Sequence, residues 1–250
     1  MYNADMSNIK DKIVKGINYL EDFLFKPHSC MFCGCECDDD ELRICFRCKE
    51  DLDFIKDRFC LKCGTLLLGD YDFCIECKNE SHEFEMARSV LLYNQKSAPA
   101  ILKFKYGGRK AYAIPLAKLL AKRYAESDIL ADIVTFVPMP EDRKKQRGYN
   151  QSEELCKEFS LLTGIKMVET LKRIKNTERQ ATLGKEERRK NLQGSFGAVA
   201  KKCFKDKDVL IIDDVVTTGA TADECAKTLL KAGARSVSVL SVAKTPALIS

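Results

Sequence analysis

The feature that most constrains this chain is a repeated spacing of cysteines. "CMFCG" at 30–34 and "ICFRC" at 44–48 are echoed by "CLKCG" at 60–64 and "FCIEC" at 73–77. The first copy supplies Cys30, Cys33, Cys45 and Cys48; the second supplies Cys60, Cys63, Cys74 and Cys77. Each copy reads C-x2-C-G, a spacer, then C-x2-C. Two such hooks present four thiolates, the tetrahedral set of a closed structural zinc site. Gly34 and Gly64 let the backbone turn tightly under the metal. The spacing predicts two structural zinc ions, one per repeat. A cross-braced pairing of hooks and a metal-free or disulfide arrangement are the alternatives. Cys35 and Cys37 fit neither copy and are expected to be free thiols near the metal. A closed four-thiolate set leaves no open position for water, so neither zinc is expected to be catalytic.

The cysteines also speak to compartment. Ten of the thirteen fall between Cys30 and Cys77. The first residues carry acids and lack an uninterrupted apolar run, so no secretory signal is expected. That points to a reducing cytoplasm, where clustered thiols bind metal more readily than they pair. No run of about 18 apolar residues exists, so no membrane span is expected. A net charge of +5 over 250 residues permits an anionic partner without demanding one.

The chain divides into three expected parts. Residues 1–28 hold an amphipathic helix over 8–25, with Ile9, Ile13, Ile17, Leu20 and Leu24 at helical spacing. Residues 29–85 form the double zinc ribbon. Residues 86–250 alternate strand and helix patterns, which predicts an α/β domain with a parallel sheet covered on both faces. Strands are expected at 87–93, 132–138, 208–213 and 236–244. Helices are expected at 98–108, 111–127, 150–164 and 221–233. In the third helix, Asn150 and Glu153 make a capping-box signature and Gly164 a stop.

The chemistry concentrates in "VLIIDDVVTTGAT" at 209–221. Four apolar residues run into two adjacent acids, then into a small, hydroxyl-rich loop that opens a helix. Ligands of open α/β sheets bind beyond the carboxyl ends of the strands. Backbone N–H groups at a helix N-terminus attract phosphate. Thr217, Thr218, Gly219, Ala220 and Thr221 are therefore the expected phosphate loop. Asp213 and Asp214 would repel phosphate but suit hydroxyl donors, so the expected guest is a sugar diol carrying a phosphate. Both carboxylates are expected to be exposed at the strand end.

This stretch resembles the phosphoribosyl-pyrophosphate (PRPP) motif of type I phosphoribosyltransferases. The resemblance implies that Asp213 and Asp214 contact the ribose hydroxyls and that 217–221 hold the 5′-phosphate. Together with the cysteine hooks, "LKFKYGG", "QRGYNQ" with Arg147, and "RRKNLQGSF", the chain resembles the ComF family of competence-associated proteins. Tyr149 stands where that family usually has phenylalanine. The resemblance implies a type I phosphoribosyltransferase-like domain behind a double zinc ribbon, and a role in handling incoming single-stranded DNA.

It also implies that 138–149 binds pyrophosphate, with Arg147 among its contacts, and that 173–193 is a flexible loop closing over substrate. Arg173 and Arg188 are the expected catalytic residues. Segment 172–190 carries eight Lys/Arg against three Glu, which suits a pyrophosphate leaving group. Besides a purely structural adaptor whose ribbons bind a helicase-like partner of the uptake machinery, two function classes follow. One is a PRPP-dependent, Mg²⁺-assisted phosphoribosyltransferase of nucleotide metabolism or salvage. The other is a PRPP-binding, single-stranded DNA-binding competence protein that works with a helicase or other uptake proteins. Tyr149 and Phe196 are the aromatic stacking candidates, with a core role favoured for Phe196. No residue set in 86–130 names a base.

Overall fold

The computed structural model describes residues 29–37, 39, 41–175 and 190–246. The helix expected at 8–25 lies outside them, as does Arg188. Each ribbon is built from two short turns and one short helix. Helix α1 (Phe46–Asp51) follows Cys45, and α2 (Ile75–Asn79) follows Cys74. Gly34 and Gly64 both adopt positive φ, +80° and +70°, as the turn under each hook requires.

The remainder runs β1 (Ala87–Leu92), α3 (Ala98–Tyr106), a 3-10 turn (Lys110–Tyr112), α4 (Ala113–Ala125) and β2 (Ile133–Phe136). Then follow α5 (Glu141–Arg147), α6 (Gln151–Thr163), β3 (Lys166–Met167), β4 (Leu171–Arg173) and β5 (Phe196–Ala198). The last elements are α7 (Lys201–Phe204), β6 (Asp208–Val216), α8 (Ala220–Lys231) and β7 (Ser236–Lys244). Five strands form one sheet in the order β1-β7-β6-β2-β3, and every pairing in it is parallel. Strands β4 and β5 form a separate antiparallel pair.

The central strand explains the layering. Along β6, Leu210 and Ile212 join one apolar cluster with Leu116 and Leu120 of α4 and Leu155 and Phe159 of α6. Val209 and Ile211 join a second cluster with Ala222, Cys225, Ala226 and Leu229 of α8. A strand alternates its side chains across the sheet, so both faces are apolar and both are covered. Helix α6 starts where Asn150 accepts the Ser152 amide at 3.1 Å, and it stops at left-handed Gly164. Glu153 pairs instead with Lys144 and Lys157, both at 2.8 Å, so the ion pairs replace the expected capping-box contact.

The ribbons are welded to the sheet. The segment between them lies along the free edge of β1: the Ile55 amide donates to Val90 O at 2.9 Å and the Leu92 amide to Asp53 O at 2.8 Å. An open strand edge is a pairing hazard, and this segment closes it. The second ribbon meets the start of β1 through the Ala87 amide, which donates to Lys62 O at 2.8 Å. A Cβ on Gly64 would sit 2.5 Å from Ala87 O, so only glycine permits this approach. Arg88 and Arg123 stack on the ring of Phe59, 4.9 Å and 4.7 Å from its centroid. Cys60, Cys63 and Cys74 belong to the same apolar cluster as Val209, Val216 and Ala222.

Candidate functional site

The two hooks of each repeat close on one another. The Sγ atoms of Cys30, Cys33, Cys45 and Cys48 all lie within 4.8 Å of one another, and so do those of Cys60, Cys63, Cys74 and Cys77. A tetrahedron with Zn–S near 2.3 Å has sulfur–sulfur edges of about 3.8 Å. Cys33 and Cys45 are 3.6 Å apart and Cys63 and Cys74 are 3.7 Å apart, which fits zinc and is far too long for a disulfide. The cross-braced alternative is not the arrangement formed. Cys35 is exposed and Cys37 is buried, and both stand outside the two sets. A hydrogen bond between Cys60 and Cys63 lowers the pKa of the Cys60 thiol and raises that of Cys63.

The acidic pair sits within β6, which continues through Val216 rather than ending at Asp213. Neither carboxylate is exposed, contrary to expectation. Ser152 Oγ donates to Asp213 Oδ1 at 2.9 Å, and the Asp214 amide donates to the same oxygen at 2.9 Å. Lys105 Nζ lies 3.0 Å from Asp214 Oδ1, with both side chains largely buried. Desolvation, reinforced by the Asp214 charge, pushes Asp213 up to about 7 despite Lys105 and Ser152. The pair is thus two adjacent carboxylates held in partly desolvated surroundings near the end of the strand.

The loop after β6 has the expected form. Thr217 is exposed, Thr218 and Thr221 are half-buried, and Gly219 and Ala220 are buried. Gly219 has φ +82° and caps the twelve-residue α8, whose N-terminus supplies backbone donors and positive dipole to this loop. Thr218 Oγ1 accepts the Ala220 amide at 3.4 Å. Lys244 is buried, and its ammonium donates to Thr217 O at 2.6 Å.

The 138–149 segment also lies beyond a strand end, but most of it folds as α5. Arg147 bonds Gln151 Oε1 at 3.1 Å and Tyr106 Oη at 3.0 Å, and stacks 4.5 Å from the Tyr106 ring centroid. Tyr149 is buried and donates its hydroxyl to Phe104 O, so it offers no stacking surface. Burial raises its pKa. Phe196 is likewise a core residue. Arg173 ends β4 and stacks 5.2 Å from the Phe196 ring centroid, with burial lowering its pKa. The β4–β5 pair brackets the proposed closing loop, most of which, including Arg188, lies outside the described residues.

Four positions at this site escaped sequence reasoning: Lys105, Ser152, Asp223 and Lys244. Lys244 carried one signal, a lone charge closing a nine-residue strand whose other residues are apolar or serine. Ser152, at the second position of a helix, carried none.

Fold and cysteine geometry define a double zinc ribbon joined to a parallel α/β sheet covered by helices on both faces. The double zinc ribbon domain family matches residues 20–80. The chain is 30% identical over 194 residues to competence protein F of Haemophilus influenzae, covering 74% of this chain and 84% of that protein. It belongs to the competence protein F (ComF) family. It is 29% identical to DNA utilization protein YhgH of Escherichia coli K12, over 74% of this chain and 84% of the relative. With competence protein ComFC of Streptococcus pneumoniae the identity is 27%, over 82% of this chain and 90% of that one. Among solved structures, an allosteric regulatory enzyme of purine biosynthesis overlaps 56% of this chain and 30% of its own, at 22% identity and a TM-score of 0.39. Adenine phosphoribosyltransferase from Thermoanaerobacter pseudethanolicus overlaps 58% of this chain and 84% of its own, at 16% identity and a TM-score of 0.35. Overlaps this loose carry no argument. No helix among the described residues is long and apolar enough to cross a membrane.

Two predictions follow from these geometries. Purified protein should contain about two zinc ions per chain by elemental analysis, and Cys60→Ser should lose one. Because Cys60 shares a core with Val216 and Ala222, that loss should also lower the melting temperature of the sheet, not of the ribbon alone. A single zinc per chain in chelator-free preparations would rule out the paired sites. The second concerns Asp213. The folded chain holds its proton up to about 7, whereas an unfolded chain releases it near 3.9. Stability is therefore lost as pH rises between these values, because the unfolded chain has already released the proton that the folded one still binds. Asp213→Asn should raise the melting temperature at pH 8 by more than at pH 4. An equal shift at both would contradict the desolvation described.

Proposed function

We propose that this protein binds PRPP and single-stranded DNA and serves DNA uptake in natural competence. The observation that carries the reading is the placement of Asp213 and Asp214 two residues before a Thr/Gly loop whose left-handed glycine opens α8. Two carboxylates suit the 2′- and 3′-hydroxyls of a ribose, and Thr217–Thr221 suits its 5′-phosphate. Mg²⁺ would accompany the pyrophosphate and neutralise its oxygens. Arg147, Arg173 and Arg188 are the proposed pyrophosphate and transition-state contacts. The relatives' names, competence protein and DNA utilization protein, favour this setting, with a competence helicase or another uptake protein as partner.

The DNA part rests on charge and on one exposed ring. Segment 172–190 is the densest cationic stretch. In α5, Lys144 is already paired with Glu153, which leaves less of 143–147 for phosphates than its sequence suggested. Tyr106 is 58% exposed and backed by Arg147, a stacking platform in place of buried Tyr149. The alternative is an active phosphoribosyltransferase of nucleotide metabolism or salvage; turnover of PRPP with a particular base would favour it.

Calorimetry with PRPP–Mg²⁺ tests the pocket. The parent should bind, and Asp213→Asn with Asp214→Asn should lose binding while remaining folded. Undiminished affinity in the double variant would defeat the diol assignment. For DNA, roughly four to six phosphate contacts give a slope of about −3 to −4 in log affinity against log salt. A labelled oligonucleotide titrated across salt measures it. PRPP–Mg²⁺ should compete, since the cationic loop is common to both; absence of binding at low salt would remove the DNA half of the proposal.

A further inference from the structure

The phosphate loop is gripped from two sides, and one of them is tied to the second ribbon. His82 and Phe84 lie on the chain leaving that ribbon, their rings stacked with centroids 4.6 Å apart. A Cβ at Gly219 would meet both rings at 3.6 Å. His82 Nδ1 lies 2.7 Å from Asp223 Oδ2, and the Glu83 amide donates to Asp223 Oδ1 at 3.0 Å. Asp223 stands in the first turn of α8, the helix that the loop opens. From the strand side, Lys244 holds the Thr217 carbonyl. Phe84 packs with Cys60, Cys63, Cys74, Val216 and Ala222 in one cluster. The first ribbon packs elsewhere, with Tyr112 and Tyr149 in the other cluster.

We infer that the second ribbon is a positioning element for the phosphate loop, so that zinc at Cys60, Cys63, Cys74 and Cys77 and a 5′-phosphate at 217–221 stabilise one another. This rests on the reading of that loop as a phosphate seat. His82 joins the ribbon's exit to the first turn of α8 through Asp223 and is itself neither a thiol ligand nor part of the 217–221 loop. Coupling between binding sites is reciprocal, and typically about 5- to 150-fold. Zinc loss from the second ribbon should therefore weaken PRPP binding, and PRPP should retain that zinc, with the first ribbon a bystander.

The test is an equilibrium competition for zinc with a chromophoric chelator on the full chain, with and without PRPP–Mg²⁺, beside calorimetry of PRPP–Mg²⁺. For the parent, PRPP should raise about tenfold the chelator concentration that extracts one of two zinc equivalents, and leave the other unchanged. His82→Ala keeps all eight thiols, so it should still carry two zinc ions. It should bind PRPP about tenfold more weakly and show no protection. His82→Asn, whose amide nitrogen stands near the Nδ1 position, should restore both. If the parent binds PRPP but neither zinc equivalent is protected, or if His82→Ala binds PRPP like the parent, the inference is wrong. If the parent gives no PRPP heat at all, the pocket reading itself falls and takes this coupling with it.

Discussion

The close approach of the second ribbon to the first strand is the constraint on which the rest depends. Gly64 has no side chain, so its backbone can lie against the Ala87 carbonyl, and the Ala87 amide can reach Lys62. A methyl group there would force the two backbones apart. With that contact made, Phe59 falls beneath Arg88 and Arg123, and Phe84 reaches the core behind the loop at 217–221. The ribbon is then part of the sheet's packing. Burying thiols in an apolar cluster is costly for their charged forms, and a metal that neutralises four thiolates removes that cost.

The site itself combines two opposed electrostatic surroundings within a few residues. Asp213 and Asp214 crowd like charges in partly desolvated surroundings, relieved by Lys105 and Ser152. The loop that follows offers a helix N-terminus, which favours negative charge. A neutral hydroxylated ring with an anionic tail matches this gradient. A wholly anionic or wholly neutral ligand matches only one end. The carboxylates are costly to bury unliganded, which is the usual price of a pre-formed polar site.

Much of this was legible from the chain. Apolar runs bounded by turns located β1, β2, β6 and β7, because strands buried on both faces need no alternation. Asn150 and Gly164 bounded α6, because capping chemistry is local. The repeat favoured pairing of hooks within each copy, and the folded sulfur positions decide against the cross-braced alternative that spacing left open. What escaped depends on tertiary packing. The two-residue β3 and three-residue β4 and β5 are too short to carry a period. Exposure of the aspartates was misjudged because Ser152 and Lys105 arrive from distant helices, 61 and 109 residues away along the chain from the partners they bind. Tyr149, read as a surface ring, is drawn inward by the Phe104 carbonyl.

The segment that covers the free edge of β1 bears on how the molecule is made. On its other side β1 pairs, among the described residues, with β7, the last of the described strands. During synthesis from the N-terminus, β1 must therefore wait for nearly every later element before its sheet partner exists. The ribbons, which precede it, can take up metal early, and 53–55 can hold β1 by one edge through that interval. One edge of β1 is thus closed by a segment that precedes it in the chain, and the other by a strand that comes about 150 residues later.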